Sequence, residues 1–187
     1  NAGTHLGAAE RAVAEAREAF PDRTAMLEAL AAAHRAVDTA GQALTADNRA
    51  RHGHRLARKL DEIAAALHLA AAVTVTVWLD PATASPGGTT TLVMHLENPL
   101  NYAVKLEPKL PAWVTGGPAQ TERGLIRIPL TIAAGAPFAT PFTESFSSLT
   151  GNSEVALAVT LTIDGQAYQS IVPPEESLEI VPPTSVT

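Results

Sequence analysis

The stretch DNRARHGHRLARKLDEIAAALHLAAAVTVTVWL, residues 47–79, decides the fold because the hydrophobic period changes within it. Its first part carries apolar residues every three or four positions, the spacing of one helix face. These residues are Leu56, Leu60, Ile63 and Leu67. From Val73 to Leu79 apolar and polar residues alternate instead, which is typical of a half-buried strand. The chain is therefore predicted to be helical before about residue 70 and all-β after it.

A first amphipathic helix is predicted from Thr4 to Phe20. It ends there because Pro21 cannot continue a helix and disfavours helical geometry in the residue before it. We expect its buried stripe to hold five apolar residues. They are Leu6, Ala9, Val13, Ala16 and Phe20.

The second helix is predicted to begin at a cap formed by Asp22 or Thr24 and to end near Gly41 or Leu44. Its expected stripe is Met26, Leu30, Ala33 and Val37. Asp47 is the expected cap of the third helix. Three amphipathic helices with short connections predict an antiparallel helical hairpin or a three-helix bundle over residues 1–70.

Residues 71–187 are predicted to form an Ig-like antiparallel β-sandwich, because short strands follow one another without a helix. The expected strands are Val73–Leu79, Thr89–Glu97, Tyr102–Glu107, Leu125–Ile132, Phe142–Ser148, Glu154–Ile163, Gln166–Val172 and Leu178–Val181. The turn Ser85–Gly88 reverses the chain, and Asp164-Gly165 is a hairpin signal. Pro129 removes a backbone donor, so its strand should lie at an edge or carry a bulge. The fold class is thus α+β with the two parts segregated along the chain.

Composition narrows the classes of partner and site. The net charge is −6, with nine basic and nine acidic residues in 1–70 and four basic and ten acidic residues after it. An acidic β part argues against nucleic acid and anionic lipid as partners. There is no cysteine, so disulfides and thiolate metal sites are excluded. No apolar run approaches the roughly 20 residues that a membrane span needs.

His52 and His54 suggest a metal site, since imidazole pairs are common ligands. Two residues apart on a helix, their side chains point about 200° apart around the axis and cannot converge unless Gly53 breaks the helix. We therefore favour a solvated helix start. His34 and His95 are single histidines with no partner visible in the sequence.

One basic cluster stands out at the start of the third helix. It consists of Arg49, Arg51, Arg55, Arg58 and Lys59. Nucleic acid is a weak candidate partner, because no aromatic residue lies nearby for base stacking and Asp47, Asp61 and Glu62 dilute the positive field. We interpret the cluster as a solvated face or as a contact surface for a neighbouring domain.

Other polar groups carry no recognisable chemistry. Glu175 and Glu176 have neither the spacing of an EF-hand nor a second acidic cluster beside them, so we interpret them as solubilising charges. Ser145, Ser147 and Ser148 lack the G-x-S-x-G setting of a nucleophile elbow.

The aromatic residues offer one binding hypothesis. A surface that stacks on sugars would require four aromatic residues to lie on one face of the sandwich: Trp78, Tyr102, Trp113 and Phe138. Trp78 and Trp113 are the candidate carbohydrate contacts among them. Packing in a core or an interface explains them more simply, because aromatic residues make up only 4% of the chain.

Four parts of the sequence form a recognisable set: Arg55–Lys59, Ala65–Leu69, Pro86–Gly88 before Thr91–Asn98, and Leu178–Pro183. They resemble the region that follows the catalytic domain in large secreted PIG-L (LmbE-like) deacetylases. The resemblance spans nearly the whole chain and rests on core positions and turns. It implies a helical segment plus an Ig-like domain in a secreted or extracytoplasmic protein.

Members of that family are metal-dependent hydrolases, usually with zinc, that remove N-acyl groups from amino sugars or related amides. Their metal ligands come from a His-Pro-Asp-Asp run and a later histidine in a Rossmann-like domain. The only Pro-Asp here, Pro21-Asp22, follows Phe20 at a predicted helix start. The resemblance therefore implies no catalytic residue, metal ligand or cofactor in this chain. Zinc would be held by a separate catalytic domain. This chain would brace that domain or present it to polysaccharide.

Two other interpretations remain open from the residues alone. The chain could be a free-standing extracellular adhesion or carbohydrate-binding module. It could also be a helical oligomerisation stalk with an Ig-like head, although no long heptad run supports that.

Overall fold

The computed structural model describes residues 1–138 and 154–182, so the predicted strand Phe142–Ser148 and its serines 145, 147 and 148 lie outside the described residues. Three helices come first: α1 (Ala2–Glu18), α2 (Arg23–Gln42) and α3 (Ala46–Ala70). Helix α2 packs against both α1 and α3, which hardly touch each other. The short connections make successive helices antiparallel.

Each helix begins at a residue whose side chain accepts from the free backbone donors of the first turn. Asn1 caps α1, and Asp22 caps α2 by accepting from the backbone nitrogens of Thr24 and Ala25. The cap of α3 is Thr45, whose Oγ1 lies 3.4 Å from the nitrogen of Asn48. The prediction that Asp47 caps this helix is therefore wrong. Asp47 lies inside the first turn, where its charge still complements the helix dipole.

The buried face of α1 is made of small residues, unlike the predicted stripe. Its buried residues are Ala9, Ala12 and Ala16. Leu6 and Val13 lie on the flank of this face and are more than a third exposed. Phe20 is 73% exposed, because the helix ends at Glu18 and the phenylalanine belongs to the following turn. The predicted inner positions of these three side chains are wrong.

Ten strands follow the helices in the described part of the chain. They are β1 (Thr74–Asp80), β2 (Thr83–Ala84), β3 (Thr89–Glu97), β4 (Ala103–Lys109), β5 (Val114–Gly116), β6 (Gln120–Glu122), β7 (Leu125–Ile132), β8 (Ala156–Ile163), β9 (Gln166–Val172) and β10 (Glu179–Ile180). One sheet has the order β1, β3, β7, β5, with β6 also paired to β7, and its paired strands are antiparallel. A second sheet has the order β4, β8, β9. The short strands β2 and β10 form a parallel pair. The α+β class is confirmed, and β2, β5 and β6 were not predicted.

Strand β7 is not a sheet edge, although it contains Pro129. It pairs with β3 on one side and with β5 and β6 on the other. The carbonyl of Pro129 accepts from the nitrogen of Gly117, in the gap between β5 and β6. In a β-strand the N–H and the C=O of one residue point to the same side. The N–H that Pro129 lacks would therefore also point into this gap, so no hydrogen bond between paired strands is lost.

Two turns follow the predicted chemistry. Asp164 and Gly165 have φ of 50° and 78°, the two positive values that a type I′ hairpin turn requires, and they join β8 to β9. At the turn before β3, the nitrogen of Gly88 donates to the oxygen of Ser85 at 2.8 Å, and Gly87 has φ of 77°. This geometry is a four-residue turn with Pro86 in its second position.

The chain divides into two compact units. The helical unit comprises Asn1–Val73, Asn98–Ala103 and Leu161–Ser170, and the β unit comprises the remaining described residues. The β unit has its own apolar core, to which both larger sheets contribute. Its fully buried members include Val77, Leu92, Met94, Leu130, Ile132, Leu157 and Val159. The core of the helical unit includes Leu27, Leu30, Ala33, Val37, Ala40, Ala64 and Leu67.

Candidate functional site

The basic cluster lies on the exposed N-terminal half of α3, as the sequence predicted, but most of its charges are engaged within the helical unit. Arg49 donates to the backbone oxygens of Gln42 and Leu44 at 3.3 and 3.4 Å. Arg58 Nε and Lys59 Nζ donate to the two carboxylate oxygens of Glu62 at 2.9 and 2.7 Å. These two hydrogen bonds, that from Lys59 first, lower the pKa of Glu62.

Arg51 and Arg55 are the members of the cluster that remain available. Both are exposed, and neither has a hydrogen bond or ion pair within the described residues. They are four positions apart on α3, so they lie on the same side of the helix one turn apart. The two guanidinium groups can therefore bind an acidic surface together.

The two neighbouring histidines do not converge. Helix α3 runs unbroken through Gly53, which keeps His52 and His54 on different sides of the axis, and both are exposed. Within residues 1–138 and 154–182, no three histidine, aspartate or glutamate residues come close enough to hold a metal ion.

The two tryptophans lie in the β unit, in different settings. Trp113 is half-buried and packs against the apolar core. Trp78 faces away from that core on β1, beside Val93 of β3, which in turn neighbours Arg127 of β7. Val93 is fully buried between them, so Trp78 shields this valine. Carbohydrate contact by either tryptophan stays a prediction.

A buried polar cluster in the helical unit links α3 to the Leu161–Ser170 hairpin. His68 Nε2 lies 3.1 Å from the backbone oxygen of Tyr168, and His68 Nδ1 lies 3.1 Å from Ser170 Oγ. A carbonyl can only accept, so Nε2 carries the proton and Nδ1 accepts from the serine hydroxyl. His68 and Ser170 are 6% and 9% exposed. Burial lowers the pKa of His68 and so favours the neutral imidazole. The hydrogen bond to the Tyr168 carbonyl has the opposite, smaller effect.

His34 of α2 meets the same tyrosine. Its ring lies edge-on to that of Tyr168, with 5.0 Å between the ring centroids and 89° between the planes. His34, for which the sequence showed no partner, therefore has one in the structure. Burial lowers its pKa, Asp38 and Asp61 oppose the shift, and Arg35 adds to it.

The order of groups in this cluster, hydroxyl to imidazole to acceptor, is that of a serine–histidine pair. The serine, however, bonds to Nδ1, the third group is a backbone carbonyl, and both side chains are buried. A substrate carbonyl would need access to Ser170 Oγ. We therefore interpret the cluster as a structural link within the helical unit.

An open apolar groove lies in the helical unit. Its cavity volume is about 860 Å³. Residues of α1, α2 and α3 and of the turn between α1 and α2 line it. The lining residues are Val13, Ala16, Arg17, Phe20, Pro21, Arg23, Met26, Leu30, Ala66, Leu69 and Ala70. Phe20 and Leu69 are 73% and 68% exposed, far more than large apolar side chains in a closed core.

The sequence contained a signal for one part of this groove only. Leu69 lies two positions after Leu67, which places it about 200° away from the buried stripe of α3. An exposed leucine there was predictable. The exposure of Phe20 was not, because it depends on where α1 ends.

Comparison with known proteins adds no family. No protein-family model matches the sequence, and no curated protein matches it. None of the helices described is both long enough and apolar enough to cross a membrane.

Proposed function

We propose that this chain is a non-catalytic accessory region, a helical brace joined to an Ig-like β-sandwich, of a secreted PIG-L-type metal-dependent N-deacetylase. Its partner is the catalytic domain of the same protein, which acts on amino sugars or related amides, and polysaccharide is a further candidate partner. Zinc and the catalytic groups belong to that domain. The segment resemblance, from Arg55–Lys59 to Leu178–Pro183, supports the choice of family.

The strand order supports the Ig-like part of the proposal. A constant-type Ig domain has one sheet of order A, B, E, D and another of order C, F, G. With β1, β3, β4, β5, β7, β8 and β9 lettered A to G in chain order, the two larger sheets follow these orders. Strands β1, β3 and β7 of one sheet and β8 of the other contribute to a single apolar core, as in a sandwich.

The availability of Arg51 and Arg55 is the observation that carries the bracing role. Exposed arginines that pair with nothing in their own unit, one turn apart, are suited to bidentate binding of carboxylates on another domain. Arg49, Arg58 and Lys59 are held by Gln42, Leu44 and Glu62, and they keep the surrounding helix surface in place.

Isothermal titration of the chain with the catalytic domain encoded in the same reading frame tests this role. We expect saturable binding that weakens as the salt concentration rises, because exposed charges are screened. The double variant Arg51→Glu/Arg55→Glu should bind at least about tenfold more weakly, since like charges across an interface are costly. The control Arg11→Glu/Lys109→Glu changes the net charge equally at exposed positions outside the cluster and should bind normally.

Two results would contradict the proposal. One is the absence of binding to that catalytic domain, or equal binding by both double variants. The other is release of acetate from N-acetylglucosamine by the purified chain with added zinc, because a non-catalytic region has no such activity.

A further inference from the structure

The groove defined above has the form of a helical bundle that lacks one helix. In a closed three-helix bundle every helix contacts both others, but here α1 and α3 hardly touch each other. The lining includes Val13 of α1, Met26 of α2 and Leu69 of α3, none of which is fully buried. A fourth helix lying in this space would cover these three side chains, as in a four-helix bundle.

The length of the groove fits two turns of such a helix. On α2 the lining extends from Arg23 to Leu30, and on α1 it comprises Val13, Ala16 and Arg17. The seven residues from Arg23 to Leu30 correspond to about 10 Å along a helix. An occupant would therefore place apolar residues at positions i, i+3 or i+4, and i+7 against the apolar lining.

The charges at the groove select the sign of the occupant. Arg17 and Arg23 both line it, and no carboxylate does so among the described residues. Arg17 has no hydrogen bond or ion pair within the described residues, whereas Arg23 donates to the oxygen of Ala70 at 3.2 Å. The nearby Asp22 is occupied in capping α2. The groove thus combines an apolar lining with two arginines.

We propose that this groove binds an acidic amphipathic α-helix of a partner protein. A helix is favoured over an acyl chain because three helices already line the groove, so that a further helix would complete a four-helix bundle. Phe20 and Leu69 are the most exposed large apolar side chains of the lining, and such an occupant would cover them. The groove proposal is independent of the accessory role, because it concerns a different surface from Arg51 and Arg55.

Two synthetic 16-residue helical peptides provide the test. Both carry leucine at the i, i+3, i+7 positions, and the remaining positions are mainly glutamate in one and mainly lysine in the other. Fluorescence anisotropy with labelled peptides measures their affinities for the chain. We expect the acidic peptide to bind at least about tenfold more tightly than the basic peptide, because the basic peptide meets like charges at Arg17 and Arg23.

Matched variants connect binding to the groove. Leu69→Asp should weaken the acidic peptide at least about tenfold, while Leu100→Asp, at another exposed leucine of the helical unit, should not. Arg17→Glu should reduce the preference for the acidic peptide, while Arg11→Glu, at an exposed position of α1 outside the groove, should keep it. The substituted side chains are mostly exposed, and circular dichroism checks that each variant folds.

Several outcomes would overturn the proposal. Absence of saturable binding by the acidic peptide, equal affinity for both peptides, or full binding by Leu69→Asp would each exclude an acidic helix as the occupant. Saturable binding of dodecanoate in the groove without peptide binding would replace the helix with an anionic lipid. Sedimentation showing a dimer of the free chain that Leu69→Asp dissociates would replace it with a second copy.

Discussion

Ser170 Oγ lies 3.1 Å from His68 Nδ1, although 102 positions separate the two residues in the sequence. The other ring nitrogen of His68 donates to the carbonyl of Tyr168. One imidazole therefore fastens both ends of the segment Tyr168–Ser170 to α3 within the helical unit. Since the ring is buried, each bond forms in surroundings where water cannot replace it.

Ser170→Ala is expected to destabilise the helical unit by about 1–3 kcal/mol. The substitution leaves His68 Nδ1 buried without a donor, and the cost of an unsatisfied buried group exceeds the net value of the bond. Urea unfolding followed by circular dichroism at 222 nm reports on the helices. Tryptophan fluorescence reports on the β unit, where both Trp78 and Trp113 lie.

Ser177→Ala is the matched control, because Ser177 is exposed and belongs to the β unit. It should change the free energy of unfolding by no more than about 0.5 kcal/mol. If Ser170→Ala and Ser177→Ala unfold at the same urea concentration, the hydrogen bond to His68 contributes nothing to stability.

Much of the β part could be predicted from the sequence because its turns carry their own chemistry. The predicted bounds Thr89–Glu97, Leu125–Ile132 and Gln166–Val172 are those of β3, β7 and β9. Proline and glycine before Thr89, and Asp164-Gly165 before Gln166, fix where each strand can begin. The short strands β5 and β6 were missed, because three residues are too few to show alternation.

The features of the candidate sites depended on tertiary contacts that no local pattern encodes. The partner of His68 lies in a distant hairpin, so its burial and tautomer could not be derived from the sequence. Val93 lies on the face of β3 that points away from the β core, but cross-strand neighbours bury it. On α1 a residue predicted to be buried is exposed instead: the buried residues are alanines, and Val13 lines the groove.

Gly165→Ala is expected to cost about 1–2 kcal/mol. Gly165 has φ of 78° with open space around the position of a Cβ, so the penalty is backbone strain without a steric clash. Gly135→Ala is the matched control, since its surroundings are equally open and its φ is not in the left-handed region. It should be neutral or slightly stabilising, because alanine restricts the unfolded chain. Equal urea midpoints for the two variants would contradict the type I′ assignment.

Thr45→Ala is expected to destabilise the helical unit more than Asp47→Ala. Thr45 caps α3 through its hydroxyl, and loss of such a cap costs about 1 kcal/mol. Asp47 supplies only a charge in the first turn, worth about 0.3–1 kcal/mol at low salt. Urea unfolding at 222 nm in 0.5 M NaCl should separate the two, because salt screens the charge and leaves the cap. A larger loss for Asp47→Ala at that salt concentration would show that the helix begins later than Thr45.

The helical unit is expected to lose stability as the pH falls below about 6.5, the ordinary pKa of histidine. Burial lowers the pKa of His68 and of His34 in the folded state, so the unfolded chain binds more protons in this window. Stability then rises with pH and reaches its full value above about 6.5, and it stops falling once the pH is below the folded-state pKa.

The groups around the two histidines determine how readily each is protonated. The carboxylates of Asp38 and Asp61 favour protonation of His34, and Arg35 opposes it. A protonated His68 could no longer accept from Ser170. Urea unfolding at 222 nm between pH 7.5 and 5 should show this slope in the wild type and in His54→Gln, whose histidine is exposed on α3. His68→Gln should be less stable at pH 7.5 and should show a smaller slope, and an unchanged slope in that variant would exclude His68 as its source.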